Sequence, residues 1–379
     1  MSVIQFPTKD NSGISRTRQK FKLLTVNDVK VKSCPALDKF VIVPEINIPK
    51  GGFYPIQTVN VLDSKEQEFK ELEKNELSEE NEWLESTQQI FEGEVNEDSD
   101  QVSWTAFHQN KARDSGSMIP TVNVPLPLID YKSSAIELQY HLMQITVEYT
   151  NYINPGQIAV GCSDQPLYAL KKIIQMARPD LFGESYFAFM GGLHIEQAAL
   201  ICVGQLIKGT GMAEIIKVAS LDTVGLETAV CDVNNIKKAR YTLQVIAVVL
   251  RKKMQEAFRE YKSSNCGDMT FDCWASDQTS VMFKYWHNVL HSIQLTLMLV
   301  RSFREANLDL LIVSLKLIVP LFFALDHVHY SRWVSVFIQE LVTLPAIPNT
   351  VQRVSCWLLY NQLERECLFE DRFGSSSGT

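Results

Sequence analysis

From Ser133 onward, apolar and polar positions alternate in two rhythms. In SSAIELQYHLMQITVEYTNYI apolar residues return every three or four positions behind a serine, which predicts a helix with a serine cap. A short apolar run over 157–162 predicts a strand. It is followed by a helical period over 166–176, a second strand over 185–190 and another helix over 193–208. Strand, helix, strand, helix in that order is the pattern of a βα unit with parallel strands. Beyond Gly209 and Gly211 the helical period dominates, with helices predicted over 235–262, 277–305, 308–325 and 328–343. The expected fold class is α/β with a predominantly helical C-terminal half.

Upstream the pattern is less regular. Residues 21–61 alternate short β-rich runs with proline and glycine, so 1–62 reads as a β-rich N-terminal segment, with Lys9, Arg16, Arg18, Lys20, Lys22, Lys30 and Lys32 forming a basic arm. Residues 120–131 are extended by their prolines. Between Ser64 and Asp100, Phe69, Leu72, Leu77, Trp83 and Leu84 fall where a helix could use them. The density of glutamate nevertheless favours an acidic flexible linker over 63–117. An α/β core with its helical region is then expected over 118–344, and a helical or disordered tail over 345–379.

Composition changes this picture in several places. A chain of 379 residues with 46% hydrophobic content can bury at least one sizeable core. Its eight cysteines include no CxxC pair, which removes zinc-ribbon and dithiol chemistry and suggests reduced, mostly buried thiols in an intracellular protein. The start, MSVIQFPTKDNSG, has no apolar core of a secretory signal. The most apolar segment, 308–325, contains Asp309, Lys316 and Pro320 and is expected to be a buried helix, not a membrane span. The net charge of −8 is concentrated in the acidic stretch, and the remainder of the chain is mildly basic.

In open α/β sheets, functional side chains collect where strands end and helices begin. Asp164 holds such a position in GCSDQPLYAL, and His194 and Glu196 hold it in MGGLHIE. With the two strands as neighbours, these residues would share a rim. Carboxylates with an imidazole suit Mg²⁺ or Mn²⁺, and two such ions would support attack on a phosphodiester. Each residue also has a plain structural reading. Asp164 before Gln-Pro is a good N-cap, Gly191-Gly192 permits a tight turn, and Glu196 complements a helix dipole.

His287 and His291 share a helix face but lack the intervening acid of a zinc protease, so a packed aromatic face is the stronger reading. In FFALDHVHYSRW, Asp326 either caps the next helix or supplies a late acid to a site. The helix IKKARYTLQVIAVVLRKKMQEAFREYK offers Lys237, Lys238, Arg240, Arg251, Lys252 and Lys253 as phosphate contacts, against the alternative of a solvated face. P-loop and GxGxxG motifs are absent.

The stretches NPGQIAVGCSDQPLYALKKIIQ, FAFMGGLHIEQAAL, LVRSFREANLDL and VPLFFALDHVHYSRW resemble, in this order, motifs of a large multi-copy family of transposon-associated proteins of invertebrate genomes. The similarity spans about 103–340, and SWTAFHQNKAR echoes a further family segment. The family's order of elements is similar to the ribonuclease-H-like core of DDE-type transposases. The resemblance therefore implies a partial core of that kind built on the strands at 157–162 and 185–190. It implies Asp164, His194 and Asp326 as catalytic residues, so that Asp164 and Asp326, with Glu196 of the strand-end rim, would hold Mg or Mn, and it sets Arg301, Arg304 and Glu305 in the helical region near Asp326. DNA would be the partner, with no membrane involved, and the protein would be nuclear where it meets that DNA.

One departure counts against activity. Family members carry an upstream Asp-Asn element and a Phe-His-Gly-Met-Gly motif that would supply a first acid, and this sequence has no such motif. The expectation is a truncated or degenerate transposase domain without autonomous catalysis. The alternatives are an active metal-dependent nuclease or strand-transfer enzyme and a domesticated nucleic-acid-binding protein.

Overall fold

The computed structural model describes residues 3–7, 66–92, 103–112, 121–125, 129, 131–218, 233–265 and 268–344. The β-rich segment expected over 21–61 and the tail over 345–379 lie outside them. The chain divides into two compact units, one made of residues 1–55 and 118–189, the other of 56–117 and 190–379.

In the first unit, β1 (Val3–Pro7) pairs antiparallel with β2 (Thr121–Pro125). The βα unit follows, with β3 (Ala159–Ser163) and β4 (Tyr186–Met190) forming a two-stranded parallel sheet. The Ala159 amide donates to the Ser185 carbonyl at 2.9 Å. Helix formation follows the apolar period, but the serine cap expected before residue 136 does not form. Ala135 is the N-cap, and Ser133 instead offers its carbonyl to the Gln139 side chain at 2.7 Å. The unit closes over Tyr140, Met143, Tyr168, Ile174, Phe182 and Phe189, all buried. The Gln175 amide ties the carbonyls of Phe182 and Tyr186 together at 3.1 and 2.7 Å, which fixes the approach to β4. A Cβ on Gly161 would meet the Tyr186 hydroxyl at 1.7 Å, so the middle of β3 accommodates that ring only because residue 161 has no side chain.

The helices in chain order are α1 (Glu66–Phe91), α2 (Trp104–Ala112), α3 (Ile136–Ile153), α4 (Gln165–Ala177), α5 (Pro179–Phe182), α6 (Gly192–Ile207), α7 (Met212–Val218), α8 (Ile236–Ser264), α9 (Phe271–Ser276), α10 (Val281–Arg304), α11 (Leu308–Ala324) and α12 (Val328–Thr343). Only α3, α4 and α5 belong to the first unit, where α3 packs on β3 and α4. The second unit is built around α10, which is buried on all sides from Ser292 to Ser302 and packs against α6, α8 and α11. A helix that is apolar all round belongs in such a position. Among the described residues no helix is long and apolar enough to cross a membrane; α11 is buried along most of its length, with Pro320 in its exposed last turns.

The acidic stretch expected as a flexible linker is, over Glu66–Phe91, the 26-residue helix α1. Trp83 and Leu84 enter the same core as Leu200, Val203, Ile246 and Ile293. Its carboxylates meet cations brought by other helices: Arg251 pairs with Glu85 at 3.0 Å, Lys111 with Glu82 at 2.6 Å, and Arg259 with Glu92. Partners far away in sequence offset a repulsion that the local sequence makes look prohibitive.

Candidate functional site

Asp164 stands directly after β3 and is the N-cap of α4. Its Oδ1 accepts the Leu167 amide at 3.2 Å, and Pro166 occupies the first turn. This satisfies one of the unpaired donors at the helix start. A cation of the same helix interacts with it. Lys171 lies buried on the inner face of α4 beside Asp164 and Cys162, and burial pushes its ammonium down to about 8 against the opposing pull of those two groups. Sequence reasoning passed over Lys171, although its spacing from Tyr168 and Ile174 sets it on the apolar face.

His194, Glu196 and Asp326 belong to the second unit. Gly191 is the N-cap of α6, and neither Gly191 nor Gly192 has a positive φ, so the pair is not there to form a strained turn. Gly192 is required for packing instead: a Cβ there would sit 2.4 Å from the Phe303 ring. His194 is exposed. Glu196 lies beyond the first turn and is buried, so its carboxylate does not act on the helix dipole. Arg240 of α8 reaches it, with Nε at 2.9 Å and Nη2 at 2.6 Å from Oε1.

Asp326 is exposed at the corner between α11 and α12, with φ at 57°. It does not cap α12, whose N-cap is His327 without a side-chain bond. The His327 amide donates to the Phe322 carbonyl at 2.8 Å and the Asp326 amide to that of Phe323 at 3.4 Å. These are the two bonds of a Schellman turn, with aspartate in the left-handed position. Among the described residues no three histidines, cysteines, aspartates or glutamates converge on a position that could hold a metal ion.

The basic residues of α8 separate into two groups. Arg240 is held by Glu196, and Arg251 is buried, paired with Glu85 and stacked 4.0 Å over the Phe271 ring. Lys237, Lys238 and Lys253 are exposed and Lys252 is half-buried; Lys253 pairs with Glu256 at 2.7 Å. Two of the six expected phosphate contacts thus serve the interior. His287 stacks on Phe283 at 5.9 Å, and burial holds both His287 and His291 below the usual imidazole range, in keeping with a packed aromatic face. Of the described cysteines, Cys202 is buried, with its thiol pushed up to about 12, whereas Cys162 and Cys273 are exposed, which corrects the expectation of mostly buried thiols for these two.

Residues 219–354, the greater part of the helical unit beyond α7, match a family described as a domain of unknown function (DUF8702). No curated protein and no solved structure matches the chain.

Proposed function

We propose that this is a transposon-derived protein whose α/β portion descends from a ribonuclease-H-like core and which performs no phosphoryl transfer by itself. The observation that carries the reading is the Glu196–Arg240 pair: a carboxylate expected to hold a metal ion is buried and already neutralised by a guanidinium. A divalent ion would have to displace that cation from a poorly hydrated position. Asp164, engaged as a helix cap beside a buried ammonium, and Asp326, whose place follows from chain geometry, support the same reading.

The test is incubation of the purified full chain with single- and double-stranded DNA in Mg²⁺ or Mn²⁺. No cleavage above a no-protein control is expected. Metal-dependent cleavage that disappears in Asp164→Asn would overturn the proposal in favour of an active nuclease or strand-transfer enzyme. The exposed Lys237, Lys238 and Lys253 favour a second reading in which α8 holds nucleic acid without cutting it.

A further inference from the structure

Arg301 is among the most deeply buried side chains of the second unit, 1% exposed, and four carboxylates surround it. Glu76, Glu79 and Glu80 come from α1. Glu79 lies 3.2 Å from Nη2, Glu80 2.9 Å from Nη1, and Glu76 also contacts Nη2. Glu305, one turn further along its own helix, lies 3.1 Å from Nε. Glu80 is itself fully buried. One of its oxygens accepts the Trp104 indole N–H at 2.9 Å, and the other is 3.4 Å from Nε2 of His108 on α2. Neither ring nitrogen of His108 makes a hydrogen bond of good geometry, although the residue is 5% exposed.

Charge balance makes the cluster unusual. Lys111 of α2 reaches Glu79 at 3.4 Å from the rim, so two cations face four carboxylates. Arg304, the next cation on α10, is turned to the Trp104 ring and the Thr105 hydroxyl. Other charges on helices packed against α1 are engaged elsewhere: Arg251 with Glu85, Arg259 with Glu92, and Lys316 over the Phe69 ring. Two negative charges are left over in a poorly solvated region, where like charges are costly.

We propose that the Arg301–Glu80–His108–Glu305 cluster is a proton-dependent clasp, which holds α1 and α2 on α10 while it retains a proton and loosens them when that proton is lost. This inference is independent of the proposed evolutionary origin. The proton resides on the Glu305 carboxyl, 3.1 Å from the Arg301 Nε. Burial pushes Glu305 above the usual carboxylate range, against the pull of Arg301 and His108, and Glu79 and Glu80 add to the rise. The docked state therefore binds more protons than the undocked state, and docking weakens as pH rises through the folded-state values.

Hydrogen exchange of the full chain, followed by mass spectrometry from about pH 4.5, the ordinary carboxylate range, up to about pH 8.5 and corrected for intrinsic rates, tests this clasp. Protection of α1 is expected to fall by about tenfold across that range while α12 stays constant. Glu305→Gln, which removes the titrating carboxyl, should flatten the α1 profile. Protection of α1 that is constant or rises with pH overturns the proposal. So does a fall shared equally by α12, or an unchanged slope in Glu305→Gln. If that variant fails to fold, the sign of the wild-type slope still decides.

Discussion

Arg240 closes both Nε and Nη2 on a single oxygen of the Glu196 carboxylate, joining the second turn of α6 to the first turns of α8. The glutamate side chain is 4% exposed and the arginine 20%, so each is the other's main compensation for lost water. Breaking one side of such a pair leaves a charge without a partner, which costs more than removing both. Glu196→Ala is expected to destabilise the second unit by about 3 kcal/mol, and Glu196→Met with Arg240→Leu to recover most of the loss. Tryptophan fluorescence in denaturant checks this selectively, because the tryptophans, Trp83, Trp104, Trp274, Trp286, Trp333 and Trp357, all lie in that unit. A Glu196→Ala protein as stable as wild type would remove the structural role.

Lys171 leads to a prediction with the opposite sign. Its ammonium is depressed to about 8 by burial, so between there and the ordinary lysine value the unfolded chain binds the extra proton. Stability of the first unit should rise with pH through that window, and the cost of burying the charge should be fully present below it. Lys171→Met is expected to stabilise the unit at neutral pH by a few kcal/mol and to remove the rise. Hydrogen exchange of α4 amides at several pH values measures both effects, since the unit contains no tryptophan. A loss of protection in Lys171→Met would show the ammonium to be needed.

Two helix ends carry left-handed residues other than glycine. Ala306 has φ at 51°, and the Asn307 amide closes on the Ser302 carbonyl at 3.0 Å. Alanine has no side-chain bond to offset the strain, whereas aspartate tolerates this region better. Ala306→Gly should stabilise the second unit by about 1 kcal/mol, and Asp326→Gly by less. Thermal unfolding ranks the two. A destabilised Ala306→Gly would mean that its methyl contact matters more than its backbone.

For nucleic acid, the division on α8 predicts two distinct phenotypes. Replacing Lys237, Lys238, Lys252 and Lys253 by Gln should leave folding intact and abolish whatever salt-sensitive DNA binding the chain has, with a shallower dependence of log K on log salt at each step. Arg251→Ala should instead lower stability, because Glu85 and Phe271 lose their partner. Fluorescence anisotropy at several salt concentrations, beside a melting curve, separates them. Binding that ignores salt would exclude the phosphate reading.

Much of the architecture is legible in the residues. The strands at Ala159–Ser163 and Tyr186–Met190 and the long helices α4, α6, α8, α10, α11 and α12 fall within a few residues of the positions set by their apolar period, because that period is local, whereas the short α5, α7 and α9 have too few residues to show one. The Asp164 cap is local too: its carboxylate needs only an amide three residues ahead. The ambiguity at Glu196 and Asp326 had a different source. A carboxylate near a helix start can hold a metal, a dipole or a guanidinium, and the answer lies with Arg240, 44 positions away.

What the sequence determined by itself, then, was the order, type and approximate bounds of the two parallel strands and the long helices between 136 and 343, each set by side chains a few residues apart. The tertiary structure alone decided what opposes each face. Glu80 meets Arg301 across 221 positions. Charge counted along the chain makes 64–100 a self-repelling linker, whereas charge counted in space makes Glu66–Phe91 a helix held by cations from α2, α8 and α10. Coulomb energy depends on distance through the fold, and separation along the sequence does not reveal that distance.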